Sequence, residues 1–224
     1  MNFLRVFFFL YFFCGSFIVL AQIWPGDVNN NGIVNHLDAL YLGNVFGLAG
    51  PPRPIIEQGI DWDAKSIATP WSGDFANGVN HAFADCDGDG FVSFFDHQAI
   101  FDNYGETHGV ITPDVFNDGL QGIDPSLRFD VPVGEPTIEG FPLLLPLILG
   151  DENNIVEDFY GIAFTIEIDP LIFSNTFHGF SLIESWIDDS PFPPLMFSHY
   201  DEITGELNVL ISKTDGVAVS GHGP

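Results

Sequence analysis

Two twelve-residue stretches written in one register constrain this chain more than any other feature. Residues 27–38 run Asp27, Val28, Asn29, Asn30, Asn31, Gly32, Ile33, Val34, Asn35, His36, Leu37, Asp38, and residues 85–96 run Asp85, Cys86, Asp87, Gly88, Asp89, Gly90, Phe91, Val92, Ser93, Phe94, Phe95, Asp96. Both place oxygen-bearing side chains at positions 1, 3, 5, 9 and 12, with glycine at position 6. A hard cation takes six to eight oxygens at about 2.4 Å, and alternate residues of a tight loop converge on one centre only where a glycine permits the turn. One such run is usually an ordinary solvated turn; repetition in register is what marks a cation site. The pattern predicts a calcium ion in each loop, with the Ile33 and Phe91 carbonyls completing the shells from position 7. Their side chains are expected to face inward and pack the loops together.

Charge count separates the two loops. The first carries two carboxylates (Asp27, Asp38) and the second four (Asp85, Asp87, Asp89, Asp96). Affinity rises with ligand charge, so the second loop is expected to bind more tightly. A helix should follow each loop: Leu37, Leu40, Tyr41 and Val45 recur at i, i+3, i+4, i+8, and Phe95, Ala99, Ile100 and Tyr104 supply i+4 pairs.

Loop plus one helix, twice, with Asp at position 12, resembles the type I dockerin module, the calcium-dependent plug of cellulosomes and related bacterial surface assemblies. The resemblance implies that Asp27, Asn29, Asn31, Ile33, Asn35 and Asp38, and Asp85, Asp87, Asp89, Phe91, Ser93 and Asp96, are the metal ligands. It also implies a cohesin-like or other surface protein domain as partner. Two departures stand out. The loops begin 58 positions apart (Asp27 to Asp85), well beyond the family's usual spacing, because of an insertion at about 48–84. Positions 10 and 11, where dockerins commonly present small hydroxyl residues, are His36-Leu37 and Phe94-Phe95, so the partner's identity does not carry over. Phe94 fits either an exposed anchor or a core position. The insertion holds Trp62, Trp71 and His81, which read either as aromatics tucked against the helices or as a carbohydrate platform. Cys86, at position 2, points away from an ion.

Residues 1–21 have a basic start, an apolar run and Val19-Leu20-Ala21 at the end, the layout of a secretory signal peptide cut after Ala21. A secreted or cell-surface protein is therefore expected, with no membrane span after signal removal. Removal leaves four basic residues (Arg53, Lys65, Arg128, Lys213) against 31 acids. Such a charge repels nucleic acid and anionic membranes and makes extracellular calcium a natural counterion. Cys86 is the one cysteine beyond the signal, so no internal disulfide staples the fold.

From about residue 124 the pattern changes to short apolar bursts bounded by Pro, Gly and Asp, at 127–133, 143–149, 159–168, 180–187, 195–200 and 207–212, with a hairpin turn over 202–206. Strands at this spacing predict a β-sandwich. The run 155–170 and the tail Lys213-Thr214-Asp215-Gly216 resemble cohesins, the jelly-roll receptors of dockerins. The expected class is thus multidomain: a small α-helical calcium-binding module over 22–117, then an all-β jelly-roll-like sandwich over 124–224, incomplete where the sequence stops at Pro224. Plug-like and socket-like modules on one chain permit head-to-tail self-association.

Catalysis finds little support. Adjacent acids such as Glu157/Asp158 point to opposite faces of a strand, the seven histidines lack zinc spacing, and no Gly-x-Ser-x-Gly elbow occurs. The sequence therefore reads as a non-catalytic, calcium-binding scaffolding protein, and the dockerin resemblance implies a link to polysaccharide degradation. The alternative is a carbohydrate-binding module or accessory part of a secreted glycoside hydrolase.

Overall fold

A computed structural model of the chain describes residues 22–66, 69–114, 120, 123–131, 134, 144–169, 179–187 and 191–224. The signal-like residues 1–21 lie outside the described residues, as do 132–133 and 143 of the expected strands.

Helices α1 (His36–Asn44) and α2 (Phe94–Asp102) follow the two loops. Each starts where the loop ends because the loop supplies its cap. The Asn35 side chain accepts from Leu37 N at 2.8 Å while Asp38 accepts from Asn35 N at 2.8 Å. Ser93 Oγ accepts from Phe95 N at 3.1 Å while Asp96 accepts from Ser93 N at 2.7 Å. These reciprocal capping boxes satisfy amides that the first helical turn leaves free. Loop positions 9 and 12 are therefore cap and third helical residue at once.

After each helix the chain runs back over the other loop. Gly47 N donates to Val92 O at 2.9 Å, Val92 N to Leu48 O at 2.9 Å and Gly50 N to Gly90 O at 3.0 Å. In the other half Gly105 N donates to Val34 O at 2.9 Å, Val34 N to Glu106 O at 3.0 Å and His108 N to Gly32 O at 3.0 Å. Every partner is displaced by the same 58 positions that separate the loops. The module is thus a duplicated unit in which each half clasps its twin.

This clasp corrects the expectation for position 7. Ile33 and Phe91 bridge to Thr107 and Ala49, and successive side chains on an extended backbone point to opposite sides. Position 8 therefore faces inward: Val34 and Val92 are fully buried, whereas Phe91 is 47% exposed. Each loop pairs its backbone with an arm, and the two loops share one buried core through position 8, not position 7.

The core collects Val28, Val34, Ala39, Leu42, Val92, Ala99 and Ile100 from the two halves, and the insertion adds Trp71, Phe75 and Phe83. Trp71 is buried and donates its indole N–H to Pro51 O at 3.1 Å; Trp62 is half-buried and tilted against Trp24. The insertion's tryptophans are therefore packed against the module instead of forming a flat exposed pair. A two-residue ribbon of β1 (Gln22–Ile23) and β2 (Lys65–Ser66) ties the insertion to the module's start.

The second half is β-rich. β6 (Gly161–Glu167), β8 (Glu206–Ser212) and β7 (Leu195–Asp201) form an antiparallel sheet in that order, with a turn over 202–205. β3 (Leu127–Phe129) pairs with β4 (Leu147–Leu149), and β5 (Val156–Phe159) with β9 (Val219–Gly221). Residues 180–187 form bends and a turn, not the expected strand; Ile187 nonetheless buries against Phe159 and Ile211. The three-stranded sheet is apolar on both faces. Leu210 joins the helical core and Ile211 the cluster with Phe159, as alternation along β8 requires. α1 packs across this sheet, and Tyr104, just beyond α2, stacks on Phe197 at 5.2 Å.

Candidate metal centre

In loop 2 Asp85, Asp87 and Asp89 each offer an oxygen, and the three atoms lie within 4.8 Å of one another. Two ligands about 2.4 Å from one centre can stand no more than about 4.8 Å apart, so this donor set fits one calcium-sized cation. Among the described residues, no other group of three acidic, His or Cys side chains converges in this way.

Backbone amides fix these carboxylates. Asp85 accepts from Gly88 N at 3.0 Å and from Gly90 N at 3.3 Å. Asp87 Oδ1 accepts from Asp89 N at 3.0 Å, and Asp89 Oδ1 from Phe91 N at 2.8 Å. Asp96 closes the ring, one oxygen accepting from Asp87 N and the other from Ser93 N. Gly90 has φ of 93° and Gly32 the same value, the left-handed region that side chains resist. A Cβ on Gly90 would also stand 2.8 Å from Gly50 O.

Gathering acids in a partly dry loop is costly. Burial pushes Asp96 up to about 7, with Asp87 adding to the effect, and pushes Asp85 up to about 6 despite the amides and the Arg53 guanidinium. Burial also raises Asp87. A divalent cation favours the ionised form of each.

Loop 1 repeats the scaffold with different donors. Asp27 accepts from Asn31 N and Gly32 N, both at 3.0 Å, and its Oδ2 lies 2.6 Å from His108 Nε2. Asn29 Oδ1 accepts from Asn31 N and Asn31 Oδ1 from Ile33 N, both at 3.0 Å. These are the turns made by Asp87 and Asp89 in loop 2. Asp38 accepts from Asn29 N at 3.1 Å; complete burial, then the nearby Asp27, holds its carboxyl well above the usual range. The side chains at positions 3, 5 and 12 thus make the same backbone hydrogen bonds in both loops. Asn35 and Ser93 turn their side-chain oxygens to the helix caps.

Three residues escaped sequence reasoning: His108 and Asp114 at loop 1, and Arg53 at loop 2. Asp114 accepts from Asn29 Nδ2 at 3.1 Å and Asn31 Nδ2 at 2.7 Å. Arg53 is buried and donates to Cys86 O at 2.6 Å. A signal was available. Asn44-Val45-Phe46-Gly47 and Asp102-Asn103-Tyr104-Gly105 end the helices alike at the 58-residue offset, which marks the segments after them as equivalent.

Duplicated loops, each capping the helix that follows it and the second carrying an acidic cluster that could hold a metal, define a paired EF-hand-like module. The family model for the dockerin type I domain matches residues 25–100, spanning both loops and most of both helices, and supports a type I dockerin module over that segment. Dockerins bind calcium and serve protein–protein assembly, typically with cohesin domains and in polysaccharide-degrading systems. No curated protein and no solved structure matched the chain. Among the described residues no helix is long and apolar enough to cross a membrane.

Proposed function

We propose that this chain is an exported, non-catalytic assembly protein. Its dockerin module holds two calcium ions, one in each loop, and docks onto a cohesin-like or other surface protein domain in a polysaccharide-degrading system. The ligands are Asp27, Asn29, Asn31, Ile33, Asn35 and Asp38 in loop 1, and Asp85, Asp87, Asp89, Phe91, Ser93 and Asp96 in loop 2. Loop 2, with four carboxylates, binds the tighter ion. The observation that carries this reading is the repetition of one hydrogen-bonded ring at a constant 58-residue offset, with convergent carboxylates in the second copy.

The second half is proposed as a cohesin-like β-sandwich, which makes head-to-tail association of copies a consequence to be tested. Residues 1–21 act as the signal peptide. Calcium bound only by the folded loops adds RT ln(1+[Ca]/Kd), about 4 kcal/mol at a thousandfold excess over Kd, comparable to a small domain's whole margin.

The test is calorimetric calcium titration of residues 22–224 beside Asp27→Ala and Asp85→Ala. Two sites, each removed by its own substitution, support the reading; absence of binding at millimolar calcium overturns it. Sedimentation of the parent with calcium checks self-association, and a monomer at high concentration removes that part.

A further inference from the structure

The arms that clasp the loops carry opposite charges. The first, residues 47–53, crosses loop 2 and ends at Arg53, whose amide donates to Gly88 O at 2.9 Å. Its guanidinium lies against Gly88, with Nη2 on Cys86 O and with Nε and Nη1 buried without hydrogen-bond partners. Beside that one hydrogen bond, the field of Asp85 and Asp87 compensates this buried cation, and burying an incompletely paired charge is expensive. The second arm, residues 105–114, crosses loop 1, where Thr112 N donates to Asn31 O at 2.7 Å. It ends at Asp114, which accepts from the side-chain amides of both Asn29 and Asn31.

The loops differ in the opposite sense. Loop 2 has four carboxylates and receives a cation; loop 1 has two and receives a third from outside. In loop 1, Asn29 and Asn31 replace the acids found at the same positions of loop 2. A bound anion on both Nδ2 atoms settles which end of each amide faces outward, an orientation an isolated Asn leaves open.

We propose that the two arms set the calcium affinities of the loops they cross: Asp114 strengthens loop 1 by positioning Asn29 and Asn31 and adding negative charge, while Arg53 weakens loop 2 by its positive charge. The arms thereby narrow the gap that carboxylate count alone would open. The proposal rests on the calcium reading above.

The test uses the exported chain, with each loop read in isolation by calorimetry: loop 1 in the Asp85→Ala background and loop 2 in the Asp27→Ala background. Asp114→Asn should raise the loop 1 Kd about tenfold, equivalent to about 1.4 kcal/mol, and leave loop 2 unchanged; Asp114→Glu should restore it. Arg53→Gln should lower the loop 2 Kd several-fold, and Arg53→Lys should leave it near the parent. Thermal melting of the calcium-free Asp114→Asn protein should match the parent. An unchanged loop 1 Kd, or a loss of calcium-free stability that Glu fails to restore, overturns the role of Asp114. An equal or weaker loop 2 in Arg53→Gln overturns that of Arg53. No calcium binding by the parent overturns the functional reading itself, whereas parent binding with unaltered variants overturns this inference alone.

Discussion

Gly43 of α1 lies directly against Ser212 of β8: a Cβ built on Gly43 would stand 2.6 Å from Ser212 Cβ. This close approach brings the helix of the first loop onto the sheet of the second half. Leu40, one turn earlier, makes the neighbouring contact at Gly161, the residue paired with Ser212.

Two effects oppose each other in Gly43→Ala. In an undocked helix, Ala should stabilise by about 1 kcal/mol through propensity. Against Ser212 the added methyl forces helix and strand apart and should destabilise by roughly 1–3 kcal/mol. Destabilisation is the expected outcome, read by urea unfolding with calcium present. A gain in stability would show that α1 and β8 do not meet in solution.

Calcium in loop 1 should be visible to tryptophan. His108 contacts Asp27 and stacks on Trp24, with ring centroids 4.8 Å apart and 12° between planes. Trp24 in turn meets Trp62 at 4.9 Å. Calcium addition should therefore change the emission, and Trp24→Phe should remove most of the change. Persistence of the full signal in Asp27→Ala would place its source away from loop 1.

The raised acids fix the sign of the pH dependence. Asp85 moves to about 6 and Asp96 to about 7, from ordinary values near 3.8, so between pH 4 and 7 these two carboxyls bind more protons in the calcium-free fold than in the unfolded chain, while burial lowers His36 to about 4 and also lowers His97, which acts in the opposite sense. The contribution of Asp85 and Asp96 to stability should fall as pH rises through that window. Calcium needs the same carboxylates ionised, so loop 2 affinity should rise from pH 5 to 8 and binding at pH 6 should release protons. Titrations in buffers of different ionisation heat measure that release; a pH-independent affinity contradicts it.

Cys86 reports the opening of loop 2. It is fully buried, with Sγ 3.7 Å from Phe83 O, and burial, followed by the nearby Asp96, pushes its thiol well above the usual range. Only the thiolate reacts readily. A thiol reagent should leave Cys86 untouched in calcium and label it after chelation. Equal rates in both would mean that loop 2 keeps its structure without the ion.

Local chemistry was legible in the sequence. The position 6 glycines and the helix after each loop arise within a dozen residues, where spacing dictates geometry; the capping boxes at Asn35 and Ser93 are equally local, though only the structure revealed them. The burial of Val34 and Val92 in place of Ile33 and Phe91 depends instead on which arm pairs with each loop. Residues 180–187 have the apolar content of a strand, yet they bury Ile187 from a turn; composition records burial without the backbone path that achieves it.

The sequence by itself determined two duplicated acidic loops, each opening a helix, and a β-rich second half. Those features follow from contacts between near neighbours. Only the tertiary structure decided that Asp114 reaches Asn29 across 85 positions, that Arg53 settles on loop 2, and that Gly43 admits β8. Such contacts join residues far apart in the chain. The 58-residue repeat marks the arms as equivalent, but which side chains they deliver to each loop depends on how the elements pack once formed.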